Sequence, residues 1–173
     1  MRKVQVDGYA EFAGARAGHL YRSACLLTGG DVHLAEDLVQ EALGRMYVSW
    51  GRVSRSDNPA AYAQTVLTRT FLAHRRLRSS SERATDVFPD LPDPAGDGGG
   101  GDTPLRLTLV EALHRLPPKD RAVVVLRYWE DRSVAETAEV MRTSSAAVRT
   151  RSVRALARLR TVLGGSLSEH VAP

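Results

Sequence analysis

Cysteine occurs once in the 173 residues, at Cys25. A single thiol excludes a disulfide framework within the chain and a zinc site built on cysteine pairs. Lysine is nearly missing as well: 22 of the 24 basic residues are arginine, leaving only Lys3 and Lys119. A GC-rich genome explains that skew as readily as selection on the surface does. No run approaches the roughly 18–20 apolar residues of a membrane helix. Asp7 and Glu11 interrupt what would be the apolar core of a secretory leader. The expectation is a soluble protein in a reducing, cytoplasmic setting, with no membrane partner.

The signatures of catalysis are missing too. The chain has no Gly-x-Ser-x-Gly elbow, no P-loop and no His-Glu-x-x-His string. The GDGGGGD stretch has no Lys-Ser/Thr after it and no strand beside it, so it is not a phosphate cradle. The five histidines (19, 33, 74, 114 and 170) lack metal-ligand spacing. No catalytic residue, metal, cofactor or small-molecule substrate is expected.

What is present is charge in blocks. The formal net charge is +4. Residues 1–79 carry net +4, residues 80–104 net −5 and residues 105–173 net +5. Blocks of this kind say more than the total. The acidic block, SSERATDVFPDLPDPAGDGGGGDTP, is dense in Pro, Gly and Asp and has no apolar periodicity. Such a segment cannot bury enough surface to offset its chain entropy, so it reads as a flexible acidic linker. About 25 residues reach at most about 80–90 Å when extended.

Both flanking blocks read as helical, with no alternating strand pattern. The first helix is expected over about Gly8 to Leu27, ended by Thr28-Gly29-Gly30. Asp31 can cap the second, which should run to about Trp50. Its apolar face holds Ala35, Val39, Ala42, Leu43, Met46 and Trp50, and its polar face Asp37, Gln40, Glu41 and Gly44. Asn58-Pro59 starts a third helix that should reach about Arg78. Ala63, Val66, Leu67, Thr70, His74 and Leu77 are assigned to its inner face, with Thr65, Thr68, Arg69, Leu72 and Arg76 outside and Arg75 at the flank. Trp50 and Tyr62 are expected in the core.

The C-terminal block opens with a helix over about Leu105 to Leu116. Pro117-Pro118 breaks it and starts another that should end near Trp129. Ser133 and Glu136 form a capping box, and the helix it starts should end near Met141. After the turn at Arg142-Thr143-Ser144, with Ser144 as N-cap, the last helix should run from Ser145 to about Leu163 and stop at Gly164-Gly165. A short helix, a tight turn and a longer arginine-rich helix make a helix-turn-helix. Val148, Ala155, Leu159 and Leu163 point inward. Ala146, Ala147, Thr150, Val153 and Arg154 face out, flanked by Arg149, Arg151, Arg158 and Arg160. Such a face can meet phosphates and guanine edges; a merely basic surface helix would have the same composition.

Four strings in order carry a resemblance: LLTGGDVHLAEDLVQEALGRMYVSW, NPAAYAQTVLTRTFLAHRRLR, ALHRLPPKDRAVVVLRYWEDRSVAETAEVM and AAVRTRSVRALARLR. In this order and spacing they resemble a bacterial RNA polymerase sigma factor of the sigma-70 family, in the small extracytoplasmic-function (ECF) class and its SigE-like actinobacterial branch. The resemblance implies an all-α chain of two small helical domains. Sigma region 2 would occupy residues 1–80, the linker 81–104, region 4 with its helix-turn-helix 105–165, and a tail 166–173.

The resemblance also implies roles. Asp37, Gln40 and Glu41 would dock on the β′ clamp helices of core RNA polymerase, and region 4 on the β flap. Thr68, Arg69, Arg75, Arg76 and Arg78 would meet the minus-10 promoter strand. Ser144, Ser145, Arg149, Thr150, Arg151 and Arg154 would meet the minus-35 element, with Arg149, Thr150 and Arg154 at the base-reading positions and Arg151 either on phosphate or packed against the domain. Promoter DNA is thus the second partner, and a separate anti-sigma factor a third candidate, because the chain after Gly165 is too short for a fused sensing domain.

Two strings depart from the family pattern. Thr68-Arg69-Thr70 stands where relatives carry Val-Asn-Thr, and Arg69 is longer, charged and donor-only. Ala146-Ala147 stands where relatives carry Gly-Thr. The departures imply altered promoter preference and keep two other readings open: a polymerase-binding adaptor with altered selection, and a stand-alone helix-turn-helix regulator of operator DNA.

Overall fold

The computed structural model describes residues 2–79 and 103–170. These form helices and, among the described residues, no strand. The expected linker falls outside the described residues except for Thr103 and Pro104, and the last three residues of the expected tail lie outside as well. The helices are α1 (Arg2–Thr28), α2 (Val32–Val53), α3 (Pro59–Ser79), α4 (Thr103–His114), α5 (Pro118–Val124), α6 (Val134–Met141) and α7 (Ser145–His170). α5 continues into a π-helical turn, Val125–Trp129.

The local signals act as their chemistry requires. Asp31 accepts from the Leu34 amide at 3.0 Å and starts α2. Asn58 accepts from the Ala61 amide at 2.9 Å and starts α3. Ser133 and Glu136 close the capping box on α6, at 3.1 and 2.8 Å. Gly29 and Gly30 take positive φ, 68° and 95°, and so end α1 without a Cβ penalty. One stop fails: α7 runs through Gly164-Gly165 to His170. Glycine only lowers helix propensity in the absence of a competing cap.

α1, α2 and α3 enclose one apolar cluster, which includes Leu20, Leu27, Leu38, Met46, Leu67 and Phe71. Tyr9 and Phe12 pack on Trp50 at its edge, and Tyr62 also packs against it. The outward and inward faces assigned to α3 need correction. Thr68 is only 1% exposed and Phe71 is fully buried, whereas Leu77 is 67% exposed. Gln64, Thr68 and Phe71 share a second inward face, because α3 is covered on two sides rather than one.

The second covering element comes from the C-terminal half. Ala122 and Val125 belong to the same apolar cluster as α1–α3, and Met141 packs against it. In return Leu26 packs on the cluster that α4, α5 and α7 build from Leu113, Leu116, Ala155 and Leu159. The two halves therefore share a buried interface.

Candidate nucleic-acid interface

Arginines placed at helix ends hold that interface together. Arg121 on α5 is 2% exposed. Its guanidinium donates to the carbonyl of Leu27 at 2.9 Å, His114 at 2.9 Å and Leu116 at 3.0 Å. These carbonyls lie at or just beyond the ends of α1 and α4, where intrahelical partners run out. Burial, and secondarily Arg75 nearby, pushes the Arg121 guanidinium down to about 10, so it stays a cation at neutral pH. On α3, Arg69 does the same for α6: its Nε donates to Val140 O at 3.2 Å and its Nη2 to Glu139 O at 3.1 Å. A cation at a helix C-terminus also meets the favourable end of the macrodipole.

The opposite rim of the interface is polar. Glu130 carries an 8% exposed side chain and lies 3.0 Å from His19 Nε2. Ser23 donates to Glu130 at 2.5 Å, and accepts from Gln64 at 3.2 Å and Trp129 at 3.0 Å. Arg132 reaches the Ala61 carbonyl at 2.9 Å. Gly29 is needed for the fit: a Cβ there would stand 2.8 Å from the His114 Cα.

Seven cations, Arg45, Arg69, Arg75, Arg76, Lys119, Arg142 and Arg151, line a cleft of about 1400 Å³ between the halves. Arg75 is half-buried with its Nε unpaired. Burial, and then Arg78, lowers its pKa. Arg76 and Arg78 are exposed. Of the residues assigned to the minus-10 strand, α3 thus presents Arg75, Arg76 and Arg78 along its last turns. Thr68 is buried rather than on the outer face, and Arg69 donates to the backbone of α6.

The assignments on α7 divide similarly. Ser144 accepts from the Ala147 amide at 3.1 Å and so is the N-cap, while Arg142 closes the preceding turn at φ 52°. Ser145 is half-buried, and Arg149, Thr150 and Arg154 are exposed. Arg151 packs against the domain: it donates to Asp120 at 2.7 Å, a carboxylate with a 3% exposed side chain. An ion pair with a buried partner is an internal brace, because leaving Asp120 unpaired would be costly. On α2, Asp37, Gln40, Glu41 and Gly44 form an exposed line that continues to Val48. Glu41 pairs with Arg45 at 2.6 Å.

Sequence patterns miss Arg121 and Glu130, and mark Gly29 as a helix stop without its close approach to His114. The partners of Arg121 and Glu130 are mostly backbone groups or residues far along the chain, and no periodicity marks them. The one available signal was the Arg-Ala-Val-Val-Val-Leu run, where an arginine opens an otherwise apolar stretch. Among the described residues, no group of His, Cys, Asp and Glu could hold a metal ion. No described helix is long and apolar enough to cross a membrane.

Residues 14–81 match the family described as Sigma-70 region 2, and residues 106–159 match Sigma-70, region 4. The RNA polymerase sigma-E factor of Streptomyces coelicolor is 36% identical over 159 residues, covering 92% of this chain and 88% of that protein. The sigma-E factor of Streptomyces avermitilis is 37% identical over 163 residues, covering 94% and 89%. A solved structure of the sigma factor RpoE in complex with the anti-sigma factor NepR from Bartonella quintana superposes with a TM-score of 0.71 at 21% identity, over 91% of this chain and 97% of that one. The helical arrangement is therefore that of a known fold, and the chain belongs to the sigma-70 family of RNA polymerase sigma factors, in its SigE-like extracytoplasmic-function group.

Proposed function

We propose that the chain binds core RNA polymerase and directs it to a specific class of promoters, without catalysing a reaction of its own. Region 2 docks through the exposed line Asp37, Gln40 and Glu41 on the β′ clamp helices. The cations at the end of α3 hold the melted minus-10 strand, where a basic surface must follow the backbone. Region 4 lies against the β flap and presents Arg149, Thr150 and Arg154 to the minus-35 element. The observation that carries this reading is the exposed cationic face of α7, directly behind a capped turn, in one chain with an exposed acidic line on α2.

Reading both elements at once requires the halves to part. The two elements lie about two DNA turns apart, at about 34 Å per turn. Arg69 of α3 touches the backbone of α6. Docking on the polymerase therefore competes with the closed interface and frees Arg69 to approach DNA.

The test is assembly of purified chain with purified core enzyme, followed by native mass spectrometry. A one-to-one complex is expected, weakened at least tenfold when Asp37, Gln40 and Glu41 are all changed to Ala. Absence of any complex with the unaltered chain would sink the reading.

A further inference from the structure

The exposed face of α7 is divided in a way that charge alone does not require. Successive helical residues turn by about 100°, so Ala146, Thr150, Val153 and Ala157 fall along one line. All four are exposed, and Val153 keeps 71% of its surface in solvent. The exposed arginines border that line: Arg149 and Arg160 on one side, Arg154 and Arg158 on the other. A helix serving only to hold phosphates would gain from charge on the midline. A branched apolar side chain at that point gains nothing from water.

A duplex places its phosphates on the rims of the major groove and its base edges on the floor. With its midline toward the floor, α7 sets Val153 on the base edges and its bordering arginines to either side, within reach of the phosphates on the rims and of guanine edges beside the midline. The apolar feature that a base edge offers there is the C5-methyl group of thymine. Thr150, one turn earlier on the same line, adds a methyl group and a hydroxyl that serves as donor or acceptor.

We infer that Val153 is a specificity-determining residue that selects an A·T pair within the minus-35 element by packing on the thymine methyl group. The inference rests on reading α7 as the minus-35 helix and adds a base chemistry that the arginines do not supply.

The test uses holoenzyme assembled from core polymerase and the full chain, with a duplex promoter that this holoenzyme selects from a random pool. Each minus-35 thymine is replaced singly by deoxyuridine, which removes the methyl group and keeps every hydrogen bond. At one position the unaltered protein should lose about fourfold in affinity, the worth of about one buried methyl group. Val153→Ala should bind the thymine duplex about as weakly as the unaltered protein binds the deoxyuridine duplex, and should no longer distinguish the two. Val153 is exposed, so circular dichroism and melting of the variant should match the unaltered chain. Equal binding of thymine and deoxyuridine at every position overturns the inference, as does a Val153→Ala variant that keeps the full ratio. If scrambling the whole minus-35 element changes nothing, or no duplex is selected, the reading of α7 falls first and this inference with it.

Discussion

Arg69 on α3 caps the carboxyl end of α6, 70 residues further along the chain, by donating to the Val140 and Glu139 carbonyls at 3.2 and 3.1 Å. The asparagine that the resemblance implies at this position has a shorter side chain with a single amide nitrogen. The departure from the family pattern therefore coincides with a contact between the two halves. Under the proposed function this side chain serves two incompatible partners: a helix end in the closed chain, and DNA on the polymerase.

Arg69→Asn should loosen the closed chain. Two charge-assisted hydrogen bonds, both partly open to solvent, are worth about 1–2 kcal/mol together. Small-angle scattering should show a larger radius of gyration for the free variant. Its promoter preference at the minus-10 element should also shift. Identical scattering curves and identical promoter selection would remove the double role of Arg69.

Gly29→Ala acts at the other end of the same interface. The substitution places a Cβ 2.8 Å from the His114 Cα, in a backbone conformation with φ 68°. Left-handed strain alone costs about 1–2 kcal/mol. Amide exchange at Ala122 and Val125, both buried against α1–α3, should accelerate well over tenfold in the variant. Unchanged protection there would mean that the halves do not close on Gly29.

Arg151 and Arg154 look alike in sequence and are expected to behave in opposite ways. Arg151→Ala removes the 2.7 Å partner of the buried Asp120 and leaves, among the described residues, Arg158 at 3.8 Å. Stability should fall by about 1–3 kcal/mol in urea unfolding. Arg154→Ala should leave stability within about 0.5 kcal/mol and weaken minus-35 binding by about 1–3 kcal/mol. A reversal of the two phenotypes would contradict the division of the α7 face.

The capping box gives a prediction in pH. Glu136 is fully exposed, yet hydrogen bonds to the Ser133 backbone and side chain hold its carboxyl below the usual range. A carboxyl lowered in the folded state contributes stability that is complete above its ordinary pKa and fades as pH falls through the folded value. Ser133→Ala removes the hydroxyl and should cost about 0.5–2 kcal/mol at neutral pH, while Glu136→Gln removes the titrating carboxyl and should flatten stability against pH in the acid range. An acid limb unaltered by Glu136→Gln would show that the box does not form in solution.

The helices were legible in the sequence because capping and periodicity are local. Asp31, Asn58, Ser133 and Ser144 all cap as their spacing implies. The acidic line on α2 and the α7 faces followed from the same periodicity. Thr68 was misplaced because a helix wheel assumes one buried side, and α3 has two. Gly164-Gly165 was read as a stop because glycine often ends helices, but α7 continues through it to His170, since glycine by itself only lowers helix propensity. The interface was hidden for a different reason. Arg121 and Arg69 bind backbone carbonyls, which every residue carries and no pattern marks.

Under the proposed function this chain delivers core polymerase to chosen promoters. Run-off transcription on genomic fragments of the source organism tests it most directly, with purified core enzyme in the presence and absence of the chain. Discrete new start sites are expected that need both components and vanish when Arg149, Thr150 and Arg154 are together changed to Ala. Start sites that are the same with and without the chain would rule out promoter delivery by this protein.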